Sequence, residues 1–152
     1  MKLTFAPRGV IQIDDARITF RNFEGRPSKF NREGDRNFAV VIEDPDIADA
    51  LIKEGWNVKI KPARDEDDVP FMYLSVKVKF NDRGPNVYLT TGDRQNKLDE
   101  DTIRMLDNVD IIAVDMDIRP YDWEMMDGKT GRSAYLQSMR VYQQVDRFNT
   151  DY

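Results

Sequence analysis

The chain contains no cysteine and no histidine. Disulfides, thiol redox chemistry and thiolate nucleophiles are therefore excluded. Ser-His-Asp relays and zinc sites of the usual ligand types go with them. Any metal would be a hard, oxygen-bound ion such as magnesium. Long apolar runs are also missing: none reaches the length of a bilayer-spanning helix, and the opening MKLTFAPRG lacks the apolar core of a signal peptide. There is no internal repeat, linker or low-complexity tract. The 152 residues are thus expected to form one domain over 1–145, followed by a short polar tail over 146–152.

What is present is the composition of a globular protein, 40% hydrophobic and 11% aromatic. The net charge of −5 is unevenly spread. Residues 43–68 hold nine acids against four cations. Residues 16–38 reverse the balance, with Arg17, Arg21, Arg26, Lys29, Arg32 and Arg36 against Glu24, Glu33 and Asp35. Interleaved with these cations are Phe20, Phe23, Phe30 and Phe38. Cations that neutralise phosphates, beside rings on which bases stack, are the chemistry of single-stranded nucleic-acid binding. The competing account is two strands and a polar loop, with the phenylalanines in the core and the arginines in water. A basic face on an acidic body can hold phosphates locally while the overall field discourages adhesion to duplex.

Periodicity assigns mostly strands. Val10 to Phe23 alternates and reads as a long or bulged strand, Glu24 to Asp35 is a loop carrying Gly25, Pro27 and Gly34, and Arg36 to Ile42 is a second strand. Pro45 opens a helix that ends at Gly55, followed by a short strand to Lys61 and an acidic loop to Pro70. In Phe71 to Phe80, Met72, Leu74, Val76 and Val78 face one way, Tyr73, Ser75, Lys77 and Lys79 the other. Asn86 to Thr91 is a strand, Asp99 to Leu106 a second helix, and Asp110 to Trp123 turns through Asp127-Gly128 into a last strand from Arg132 to Val145. The fold class expected is mainly β: an antiparallel barrel of six or seven strands of the oligonucleotide-binding (OB) type, with two short inserted helices.

Three segments stand out together. The first is the strand ARITFRNF, passing through the basic loop EGRPSKFNREGD into RNFAVVI and then a helix. The second is DIRPYDWEMMDGKTGRSAYLQSMRV, and the third the closing QVDRFNTDY. With them the chain resembles the OB-fold single-stranded DNA-binding proteins of phages, those of T7-like replication and their relatives in phages of Gram-positive bacteria. The resemblance implies sequence-tolerant single-stranded DNA binding in phage DNA replication or recombination, without catalysis or cofactor, in the cytoplasm of the bacterial host. The partners it implies are single-stranded DNA, phage replication or recombination proteins and a second copy of the chain. Members commonly end in a longer acidic tail with a terminal aromatic, whereas this tail has only Asp146 and Asp151 before Tyr152.

In an OB barrel two loops flank the oligonucleotide groove; here they correspond to residues 24–35 and 124–132. Arg26, Lys29, Arg32 and Arg36 edge the first, Lys129 and Arg132 the second. Phe23 and Phe30 are the stacking candidates near the first loop, and Tyr121, Trp123 and Tyr135 flank the second. Tyr73, Lys77 and Lys79 extend the groove along their strand, and Arg17, Arg21 and Arg119 complete the set. Alternation puts Phe20 in the core with Ile18, and Trp56 with Val58 and Ile60. A rival enzymatic reading would place magnesium on Asp115, Asp117 and Asp122, but no lysine or further acid stands at supportive spacing. A third reading is an acidic protein-interaction module that blocks a host factor. Affinity for single strands separates it from the first.

Overall fold

The computed structural model describes residues 1–66 and 68–145. Among them are nine strands, one α-helix and two short 3-10 turns, at Pro7–Gly9 and Ile103–Asp107. The strands are β1 (Lys2–Phe5), β2 (Ile11–Asn22), β3 (Arg36–Ile42), β4 (Val58–Lys61), β5 (Phe71–Val78), β6 (Asn86–Thr91), β7 (Arg94–Leu98), β8 (Ile111–Glu124) and β9 (Thr130–Gln143). Their order is β4-β5-β3-β2-β8-β9-β6-β7, with β1 added to β2. A further pairing of β5 with β9 joins β5, β3, β2, β8 and β9 into a ring.

Alternation explains the core. Leu74, Val76 and Val78 of β5 meet Ile11, Ile13, Phe38, Val40, Val114, Met116, Ile118, Leu136 and Met139 inside, all at 5% exposure or less. The single helix, α1 (Pro45–Lys53), links β3 to β4. The Asp44 side chain accepts from the Asp46 amide at its N-terminus, and Pro45 occupies the first turn, where a missing N–H costs nothing. Ala48 and Leu51 pack inward, and Gly55 leaves the helix at φ +95°.

The fold departs from the sequence reading in four respects. There are nine strands rather than six or seven, β1 and β7 being the additional ones; β7, RQNKL, offers one apolar residue, so no alternation marks it. The segment expected to be a second helix is a 3-10 turn over Ile103–Asp107. Three residues per turn set Ile103 and Leu106 on one face, and both are fully buried. The pairing is not all antiparallel: β9 runs parallel to β5 and to β6. Finally, β2 carries a register shift between Thr19 and Asn22 that turns Phe20 outward, to 53% exposure, where alternation put it in the core. No described helix is long and apolar enough to cross a membrane.

Candidate nucleic-acid interface

Cross-strand register arranges the outer face of the ring in rows. One row runs Asn37–Lys77–Tyr135–Arg119, across β3, β5, β9 and β8. Arg119 lies 5.0 Å from the centroid of the Tyr135 ring and Lys77 lies 5.7 Å from it. Tyr121, 55% exposed, meets Tyr135 edge-on at 6.1 Å. A second row runs Arg17–Val41–Tyr73–Lys59. Between the two lie the small residues Thr19, Ala39 and Ser75, paired in register. Tyr73 and Lys77 are four residues apart on β5, so the rows stand about 13 Å from one another across a floor of small side chains.

Beside Tyr73 is a second aromatic group. Phe20 lies 5.4 Å from Tyr73 and 6.1 Å from Phe71, both edge-on, and Phe71 lies 5.5 Å from Tyr73. Lys61 reaches over Phe20 at 5.3 Å, and Lys59 over Tyr73 at 5.9 Å. None of Phe20, Phe71, Lys59 and Lys61 was in the sequence-based candidate set. The V-K-I-K alternation of β4 was the available signal for the lysines; a bulge, the cause at Phe20, leaves none.

The 24–35 loop has a fixed internal frame. The Asn22 side chain accepts from the Gly25 and Arg26 amides, and Asn31 donates to the carbonyls of Arg26 and Asp35. Gly34 donates to the Gly25 carbonyl at 2.8 Å. A Cβ on Gly25, at φ +78°, would stand 2.9 Å from the Gly34 backbone, so the two segments approach too closely for a side chain. This frame holds Phe30 out at 92% exposure with Lys29 beside its ring. Arg32 is exposed alongside, and Arg26 is drawn toward Glu24 at 3.8 Å.

Several of the expected ligands make contacts within the protein itself. Phe23 is fully buried and stacks on Phe38 at 5.3 Å, so its ring is closed to a base. Arg21 donates to the carbonyls of Leu106 and Val109 at the end of the 3-10 turn. Arg36 donates to the Phe23 carbonyl and lies 3.5 Å from Glu100. Arg17 pairs with Glu43 at 2.8 Å on the surface. Arg132 binds both carboxylate oxygens of Asp122, donates to the Glu54 carbonyl at 2.7 Å and covers Trp56, which is buried as expected. This hydrogen bonding raises the Arg132 pKa and lowers that of Asp122. Lys79 and Lys129 are exposed; Lys129 lies 3.9 Å from Asp127. Trp123 lies across Gly131, its partner on β9.

The model of the phage ssDNA-binding domain family matches residues 3–152. The chain belongs to this family. Among solved structures, the single-stranded DNA-binding protein from bacteriophage Enc34, in a C-terminally truncated form, aligns with a TM-score of 0.59 at 14% identity, over 96% of this chain and 97% of that one. The same phage protein in complex with ssDNA aligns with a TM-score of 0.57 at 14% identity, over 97% and 93%. At this identity the likeness is one of fold. Gp2.5, a single-stranded DNA-binding protein encoded by bacteriophage T7, gives a TM-score of 0.46 at 11% identity, over 90% and 87%. No curated protein matches the chain by sequence.

For this member of the phage ssDNA-binding domain family, the strand carboxylates have structural partners. Asp115 accepts from the Asp15 amide and the Tyr142 hydroxyl, and Asp117 from the Ser138 hydroxyl. Asp122 is held by Arg132. Among the described residues no group of three or more potential ligands is placed to hold a metal ion. The tail residues Asp146, Asp151 and Tyr152 lie outside the described residues.

Proposed function

We propose that this chain binds single-stranded DNA with little sequence preference, in phage DNA replication or recombination, using the outer face of an OB-type barrel. The five-strand ring has the strand number of that barrel. The observation that carries the reading is the row Lys77–Tyr135–Arg119, with Tyr121 beside it. Two mobile cations at one aromatic ring can swing to the phosphates that flank a base stacked on that ring. Every base has a π-face, so such a contact does not read sequence. Lys29, Phe30 and Arg32 on the framed loop add a second stretch of the same chemistry. Family membership supports this function, and so does the likeness of fold to a protein seen in complex with ssDNA.

The test is a titration of labelled oligo-dT at two salt concentrations. Tyr135→Ala lowers affinity by about 1–3 kcal/mol without altering the salt dependence, because stacking releases no counterions. Lys77→Ala also weakens binding but flattens the log-log salt slope by about 0.7. Equal affinity for blunt duplex and for single strands refutes the reading.

A further inference from the structure

We infer that Phe20, Phe71 and Tyr73, with Lys59 and Lys61, form a further base-stacking platform, so that one DNA strand runs along β5 from this group to Tyr135. The inference rests on the single-stranded DNA reading and adds to it a separate site, made mostly of residues outside the first.

Three observations support it. The first is Phe20 itself. It sits at φ +50°, in the left-handed region where an L-residue crowds its own carbonyl, and the bulge that puts it there turns a large apolar ring to solvent. Folding stability alone would select against both features at one position: the usual occupant of such a backbone is glycine or asparagine, and an aromatic ring belongs inside. Strain that exposes a specific side chain is the pattern found at ligand-binding positions.

The second is charge. Lys61 stands over the Phe20 and Tyr73 rings at 5.3 and 5.8 Å, and Lys59 over Tyr73 at 5.9 Å. Neither has a carboxylate within salt-bridge distance among the described residues. Lysine on an edge strand also discourages strand-to-strand association. Here both side chains fold back onto the aromatic face, where a phosphate beside a stacked base would meet them.

The third is continuity. Phe71, Tyr73, Ser75 and Lys77 lie on one face of β5, and Lys77 is the register partner of Tyr135. From Phe71 to Lys77 the strand rises about 20 Å. The side chains of the interval are small: Ser75 is exposed, Thr19 half-buried and Ala39 covered by its neighbours. Two stacking platforms at the ends of a low track suit a flexible anionic chain better than a compact ligand or a flat protein surface.

Phe20→Gly separates a ligand-contacting ring from a structural one. Glycine accepts the left-handed backbone, which offsets the loss of ring contacts, so the melting temperature stays within a few degrees. Affinity for a dT oligomer of about 12 nucleotides, within the range of site sizes for this barrel, falls about 5- to 150-fold with the salt slope unchanged. Phe71→Ala behaves in the same way. Lys61→Gln, at an exposed position that folding does not depend on, weakens binding and reduces the salt slope by about 0.7. If wild-type protein binds the oligomer and all three variants bind equally well, the platform does not exist and the patch is surface packing or a protein contact, while the reading centred on Tyr135 stands. If wild-type protein does not bind the oligomer, both fail.

Discussion

Replacing Arg132 tests whether this cation serves the scaffold or the proposed DNA-binding face. Its side chain is only 22% exposed and makes three kinds of contact, with Asp122, the Glu54 carbonyl and the Trp56 ring. The charged hydrogen bond to the carbonyl at the end of α1 is worth about 1.5 kcal/mol. The Asp122 side chain is 64% exposed, so solvent screens that pair and it adds little. The cation over Trp56 adds about 0.5 kcal/mol. Arg132→Ala should therefore cost about 2 kcal/mol, which for a domain of this size lowers the melting temperature by about 4–8 °C. Arg132→Lys recovers only part of this, because an ammonium lacks the planar fork that engages Asp122 and Glu54 together. Differential scanning calorimetry measures the shift, and oligonucleotide affinity taken well below the transition should change less than about twofold. A variant that melts like wild type but loses about tenfold in affinity would show that Arg132 spends its charge on DNA, and the scaffold assignment would be wrong.

Phe23→Ala should destabilise by about 3–5 kcal/mol, read from denaturant unfolding, because a fully buried ring stacked on Phe38 leaves a cavity; a loss of DNA affinity with stability intact would contradict its burial. Gly25→Ala forces a Cβ against the Gly34 backbone and should disorder the 24–35 loop, seen as faster amide exchange across it and weaker oligonucleotide binding; unchanged protection would show that the frame yields easily. Acid should loosen the contact between hairpin and helix. The folded pKa of Asp122 lies below 3.8, lowered chiefly by its hydrogen bond with Arg132, so its stabilisation is complete above that value and is lost as pH falls through the folded pKa. Melting temperature measured from pH 6 to pH 2 should fall less steeply in Asp122→Asn, and an identical profile would remove the pair from the account.

Local chemistry made part of this fold legible. Pro45 and Gly55 bracket α1, the alternation of β5 separates core from surface, and Asp127-Gly128 marks the β8–β9 turn, each a signal within a few residues. The parallel pairing of β9 with β5 depends on segments far apart in the chain and has no local mark. The candidate interface divides in the same way. The β5 alternation put Lys77 and Tyr73 on the surface, and Tyr121 and Tyr135 were placed beside the hairpin; register then brings Lys77 to Tyr135. Arg21, Arg36 and Arg132 look like free cations in sequence, yet each finds carbonyl acceptors across tertiary contacts. Phe20 was misplaced because one bulge reverses every inference from alternation that follows it.

The ring's closure also bears on when the protein can first exist as a folded object. β5 and β9 pair at only two positions, Val76 with Ala134 and Lys77 with Tyr135, and β9 also pairs with β8 and β6. It is the last described strand to leave the ribosome. Until then β5 and β6 each lack a neighbour, and the apolar faces of four other ring strands wait without a lid. Closing the ring then waits on a pairing between segments far apart in the chain, and such distant pairings form more slowly than a hairpin like β8–β9. The short seam it leaves lies directly beneath Tyr135. A strand of DNA laid across Lys77 and Tyr135 would fasten the ring at the place where it closed last, and occupied protein should open there less often than free protein.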